Sequence, residues 1–252
     1  MSFMMRRGIV SSGALSGIVP FAANSSNLNG TTQYFDAGNP TELQITGDLT
    51  IACWVKLTSI TSSQIIFSKH KASNRSYQLI YSSGNKFRFD ISDDGTTELS
   101  AVTSSAIIAG TWHFIAGRYN GSTAELFLDG LPETSLPHST GIFNGTAKVF
   151  IGARDFVGFE DHMTGSIAMN YISNTVLSNA QILSMHEATA TTRCFADLDP
   201  AIQSASVYAP RLANWGTNAG DELVDQSASG ITTNNIASTP FTGTGLTVEC
   251  SS

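Results

Sequence analysis

Between Gln33 and Ile172 the chain repeats one pattern, a short run of alternating apolar and polar residues closed by Gly, Asn, Asp or Pro. Successive side chains of a strand point to opposite faces, so a half-buried strand writes a period of two into its sequence. Many such runs, each ended by a turn former, restrict the chain to antiparallel sheets packed face to face. In the run 48–57, Leu49, Ile51, Cys53, Val55 and Leu57 form one apolar face, and Trp54 on the other predicts a central strand covered on both sides. In Lys86 to Ile91, Phe87, Phe89 and Ile91 are expected to face the core and Lys86, Arg88 and Asp90 to face water. Further strands are predicted at 65–69, 77–81, 112–119, 124–128, 148–152 and 166–172. Asn120-Gly121 accepts the positive φ angles of a tight hairpin, so the strands flanking it should pair, and Asp129-Gly130 ends the second by the same chemistry.

One segment departs from the period. Ile182, Leu183 and Met185 stand near helical spacing within Ser178 to Glu187, and Ser178 with Gln181 fits a capping box, which predicts a single short helix. Arg6 and Arg7 precede a weakly apolar run to Ala23 that resembles a secretory leader, but Ser11, Ser12, Gly13, Ser16 and Gly17 dilute it, and it reads as an arm. Beyond Thr191 the chain turns to Thr, Ser, Asn and Ala, with sparse apolar anchors such as Trp215 and Phe241. The expected division is an N-terminal arm over 1–23, a sandwich over 24–190 and a partly extended or strand-forming C-terminal extension over 191–252.

Charge narrows the function. Only 13% of residues are charged and the formal net charge is -7, so the clustered Lys and Arg that a nucleic-acid backbone demands are missing. No stretch approaches the ~20 apolar residues needed to cross a bilayer as a helix. Three cysteines, Cys53, Cys194 and Cys250, cannot all pair within one chain and none stands at a Cys-x-x-Cys spacing. Cys53, inside an apolar strand, reads as a small buried hydrophobe; a Cys194–Cys250 bridge is left open.

Several phrases share an order with a known family. Leu28-Asn29-Gly30 with Gln33-Tyr34-Phe35 is similar to the opening of laminin-G-like domains, and Leu49 to Lys56 resembles their Trp-containing strand. Thr111-Trp112-His113-Phe114, then Glu125-Leu126-Phe127-Leu128-Asp129-Gly130, then Ile151-Gly152-Ala153-Arg154, Gly165-Ser166-Ile167 and Val176-Leu177-Ser178 follow in the family's order. The chain thus resembles the laminin-G-like or concanavalin A-like jelly rolls found in phage virion and bacterial surface proteins. The resemblance implies an all-β antiparallel jelly-roll sandwich with one short helix and extended arms. Calcium-binding members carry acidic residues where this chain has Asn29, Gln33, Ala168 and Met169, and a hard cation needs several oxygen ligands. Calcium is therefore disfavoured and no cofactor is expected.

Sandwich glycosidases place two or three carboxylates on alternate residues of one strand. No such phrase occurs: Glu125 and Asp129 share a parity, but Asp129 belongs to a turn. The five histidines show neither ligand spacing nor a Gly-x-Ser-x-Gly neighbour, so no catalytic residue is assigned, and His113 reads as a satisfied strand residue. The first place to look for a ligand is the polar loop carrying Arg154, Asp155, Phe156, Phe159, Glu160, Asp161 and His162, which mixes aromatic surface with hydrogen-bonding groups as a sugar or peptide site requires. The expected function is a non-enzymatic structural or attachment protein on a virion surface, displaying a lectin-like sandwich. Its partners would be other virion proteins, gripped by the arms, and cell-surface glycans, within a homo-oligomer or larger assembly. The alternatives are a secreted carbohydrate-binding or adhesion module and, behind it, a sandwich glycosidase.

Overall fold

A computed structural model describes residues 25–209, apart from 83, 104, 157 and 192, together with 222–223, 227, 229, 231 and 233–236. The expected arm over 1–23 and Cys250 lie outside the described residues. Along the chain the strands are β1 Ser25–Asn29, β2 Tyr34–Gly38, β3 Leu49–Leu57, β4 Gln64–Lys71, β5 Asn74–Ser82, β6 Lys86–Ile91, β7 Leu99–Val102, β8 His113–Tyr119, β9 Thr123–Leu128, β10 Leu131–Pro137, β11 Val149–Ile151, β12 Arg154–Asp155, β13 Phe159–Glu160, β14 Thr164–Ser173, β15 Glu222–Leu223 and β16 Thr233–Ile236, with helices α1 Asn179–Thr189 and α2 Pro200–Ala205.

The chain is mostly antiparallel β. One sheet has the order β1-β14-β3-β8-β9-β10, the other β15-β16-β2-β11-β4-β5-β6-β7, and β12 with β13 forms a separate hairpin. The inward residues of the two sheets make one core, in which Leu49, Ile51, Cys53, Val55 and Leu57 of β3 join Phe87, Phe89 and Ile91 of β6. Each large apolar side chain withdrawn there stabilises the fold by about 1.5–3 kcal/mol. Burial also pushes the Cys53 thiol up, so it packs as a hydrophobe and carries no thiolate at neutral pH.

The other face of β3 is covered as well. Trp54, Phe114, Phe127 and Tyr171 pack beneath α1 and α2 with Ile182, Met185 and Ile202, and Trp54 Nε1 donates to Thr189 Oγ1 at 2.8 Å. The predicted capping box closes α1, with Ser178 Oγ accepting from Gln181 N at 3.2 Å and Gln181 Oε1 accepting from Ser178 N at 2.9 Å. The expectation of a single helix is corrected by α2. Its start signal is short: Asp199 Oδ1 accepts from Ala201 N at 2.7 Å and Pro200 occupies the first turn, where its missing N–H costs nothing.

The Asn120-Gly121 and Asp129-Gly130 turns join β8 to β9 and β9 to β10, and Asp129 and Gly130 both hold positive φ, 50° and 81°. The alternation does not predict β10 as a strand, because it is an edge carrying Pro132, Pro137 and a register shift, the devices that blunt an exposed edge. At the opposite end of the molecule β16 pairs with β2, so residues beyond Thr191 extend the eight-stranded sheet.

Candidate functional site

The two outer faces differ in kind. That of the six-stranded sheet is apolar and lies under α1, the turn at Phe195–Asp197 and α2. That of the eight-stranded sheet carries a row of residues in direct cross-strand register, Asp36, Phe150, Ser68, Gln78, Asp90 and Ser100, from β2, β11, β4, β5, β6 and β7. The alternation puts them there. Tyr77, Leu79 and Tyr81 of β5 fill the core, so Gln78 between them faces outward.

A closed ring of hydrogen bonds and ion pairs is built on this face. Arg88 Nε and Nη2 reach Asp90 Oδ1 and Oδ2 at 3.1 and 2.6 Å, and Gln78 Nε2 donates to Asp90 Oδ2 at 2.8 Å. Gln78 Oε1 lies 2.6 Å from His70 Nδ1, and His70 Nε2 lies 2.9 Å from Glu98 Oε1. Glu98 Oε2 returns to Arg88 Nη2 at 3.8 Å. The bond from His70 holds the Glu98 carboxyl below the usual range against the opposing effect of burial, and the Asp90 bond raises Arg88. The expectation that Asp90 faces water is corrected: it is 1% exposed. Its strand parity is as read, but Gln78 and Arg88 saturate its oxygens and exclude solvent, which period-two reasoning on one strand cannot foresee.

The loop singled out from sequence folds onto the same face beside this ring. Ser68 Oγ donates to Ala153 O at 2.9 Å and Ile65 N to Asp161 O at 2.8 Å, which tether both ends of the hairpin to β4. Arg154 bridges Glu160 at 3.2 Å and Asp161 at 2.6 Å, while Asp155 pairs with Lys71 at 3.1 Å. The Phe156 ring has the guanidinium of Arg75 at 5.2 Å and that of Arg154 at 5.1 Å from its centroid, with His70 edge-on at 5.6 Å. Phe156 thus supports cations. His162 packs edge-on to Tyr34 at 5.9 Å, and burial lowers its pKa despite the opposing Asp161. Of Phe159 the place in β13 is described.

Sequence reasoning missed His70, Arg75, Gln78, Arg88, Asp90 and Glu98. Outward parity on β4, β5 and β6 was the available signal for His70, Gln78, Arg88 and Asp90; Arg75 departs from the alternation of β5 at a register shift, Glu98 lies in the loop before β7, and the register that aligns Gln78 with Asp90 is tertiary. Elsewhere, His113 Nδ1 lies 3.1 Å from Asp129 Oδ2, and Asp129 Oδ1 accepts from Phe114 N at 2.9 Å, so this histidine locks a turn. Burial tends to raise the Asp129 carboxyl, and these two bonds outweigh it and hold it below the usual range. Glu125 is committed to Arg118 at 2.6 Å. Where calcium-binding relatives carry acids, Asn29 Oδ1 accepts from the backbone N–H groups of Thr31, Thr32 and Gln33 at 3.0, 3.0 and 3.2 Å, and Ala168 and Met169 are buried.

A laminin-G sequence profile, described as that of the concanavalin A-like lectin/glucanases superfamily, matches residues 29–183 of the 252. The chain belongs to this superfamily. Solved structures agree on the concanavalin A-like fold. A putative carbohydrate-binding protein from Bacteroides ovatus superposes with a TM-score of 0.65 at 10% identity, covering 88% of this chain and 62% of that one. The CBM40 of the Ruminococcus gnavus IT-sialidase, bound to α2,3-sialyllactose, gives 0.54 at 16% identity over 64% of this chain and 97% of that one. A heptameric SAP-like pentraxin from Limulus polyphemus gives 0.50 at 15% identity over 67% and 83%. No curated protein matches the sequence. In this concanavalin A-like chain the match ends within α1, so α2, β15 and β16 lie beyond it.

Proposed function

We propose that this concanavalin A-like chain is a non-enzymatic recognition module that meets carbohydrate with the outer face of its eight-stranded sheet, and that it serves as a structural or attachment component on the exterior of a virus particle. The observation that carries the first part is the contrast between the two outer faces. One is spent on its own helices, and the other presents the partly exposed Arg75, Arg88 and Glu98, held in place by the buried Gln78, Asp90 and His70 on rigid strands. Groups fixed in this way bind sugar hydroxyls without first losing side-chain freedom. A putative carbohydrate-binding protein and a sialyllactose-bound module among the similar structures support the reading.

Catalysis fits the face poorly. A glycosidase keeps one carboxylic acid protonated near neutral pH opposite a second carboxylate. Here Glu98 is shifted the other way by His70, and Glu160 and Asp161 share Arg154. The virion setting rests on composition. The C-terminal segment is rich in Ser, Thr and Asn with sparse apolar anchors, so packing against neighbouring virion proteins would offset its ordering entropy.

A glycan array with the full chain tests recognition: a subset of glycans should bind, and Phe156→Ala, which removes the support of Arg75 and Arg154, should abolish the signal while the far-UV spectrum is kept. Silence of the wild type on every glycan would sink the recognition reading. Sustained release of sugar from any polysaccharide would overturn the non-enzymatic part. Light scattering should show an assembly; a monomer at every concentration argues against the virion setting and for a secreted module.

A further inference from the structure

Resting on the outer face as the recognition surface, we infer that the group it selects is an oxyanion carried by the sugar, a carboxylate or a sulfate ester, and that Arg75 receives it. Gln78 Nε2 donates to Asp90 Oδ2 at 2.8 Å, so Gln78 is oriented with Oε1 toward His70 Nδ1, 2.6 Å away, and His70 Nε2 stands 2.9 Å from Glu98 Oε1. The two carboxylates of the cluster are thereby turned on Arg88 and His70.

The cation left short of acceptors is Arg75. Arg88 is held by two bonds to Asp90, and His70 by two acceptors. Arg75 Nη1 stands 3.6 Å from Glu98 Oε1, beyond hydrogen-bond length, and its Nε is buried without an acceptor. Glu98 Oε1 is already the nearer partner of His70. Phe156 lies against the guanidinium, with its centroid 5.2 Å away, and the side chain stays 25% exposed. Beside the hairpin, Arg154 and Lys71 have their own carboxylates, Glu160, Asp161 and Asp155, none of which pairs with Arg75. An arginine oriented by an aromatic ring and short of acceptors matches the planar fork of a carboxylate.

His70, Arg75, Gln78, Asp90 and Glu98 line a shallow surface depression that encloses no ligand-sized space, so an anionic group would meet Arg75 at the surface with the rest of the sugar outside.

Calorimetric titration of the full chain with lactose, sialyllactose and sulfated lactose, and with digalacturonate against its neutral counterpart, tests the assignment. The acidic member of at least one pair should bind about tenfold or more tightly than the neutral one, the loss expected when a charge-assisted bond is removed. Arg75→Gln should erase that preference, and Arg75→Lys, which keeps the charge without the fork, should restore only part of it. Should the variants not fold, salt decides with the wild type alone: added NaCl must weaken the acidic ligand and spare the neutral one. Equal binding of neutral and acidic sugars, or an acid preference that survives Arg75→Gln, overturns the inference and leaves glycan recognition standing. Failure to bind any probe overturns both.

Discussion

Lys69 shows how one residue can oppose the pattern that surrounds it. It points inward from β4, is fully buried, and reaches Asn39 Oδ1 and, at 2.6 Å, Ala147 O. Neither partner is a carboxylate, so desolvation goes uncompensated and lowers its pKa to about 8 from 10.5. Below pH 8 the amine is protonated in both folded and unfolded chains and the burial cost is fully present. As pH rises from 8 toward 10.5 the folded state sheds the proton first, so this residue's contribution to stability grows. Cys53 acts oppositely, because burial raises its thiol above its ordinary value of 9, and stability declines beyond that pH. The window between pH 8 and 9 isolates Lys69: urea unfolding should show about 1 kcal/mol more stability at pH 9 than at pH 7, and the difference should vanish in Lys69→Met. A flat wild-type profile would refute it. Cys53 was legible from its apolar strand; Lys69 was not, since its type argued for solvent and only the enclosing sheets show otherwise.

At the scale of elements, the sheets interlock through unequal side chains. Gly117 of β8 faces the core where the Phe89 ring of β6 arrives from the other sheet, and a Cβ on Gly117 would overlap that ring. The ring is fully buried and has nowhere to retreat. Gly117→Ala should therefore cost about 1–3 kcal/mol, the usual penalty of overpacking, although alanine is the better residue for most backbones. Adding Phe89→Leu should recover part of the loss in the same denaturation assay. Destabilisation that the second change leaves untouched would assign the defect to the strand itself. Strands β3, β6, β8 and β9 were readable because each carries a clear apolar run, and β8 and β9 end on recognised turns. Strand β10 and helix α2 were not, because prolines and polar residues leave little apolar periodicity in either.

The whole molecule is a sandwich with one face closed and one open, and that asymmetry directs every functional statement made of it. It also bears on metals. Among the described residues no three His, Cys, Asp or Glu side chains converge as a metal site requires, and Asn29 is engaged by its own loop. Chelation with EDTA should accordingly leave the thermal midpoint and any glycan signal unchanged, and a midpoint that climbs with added calcium would contradict this. By itself the sequence determined the fold class, since the alternation that stabilises a half-buried strand is written along each strand, and it determined the stop points, since turn chemistry is local. It also drew attention to the hairpin from Arg154 to His162. What only the tertiary structure decided was the ring beneath that hairpin. His70, Gln78, Arg88, Asp90 and Glu98 come from separate strands and a loop, and hydrogen bonds among them exist only once register has brought those strands side by side. Period and composition carry no record of register, because the pairing energy resides between segments and not within any one of them.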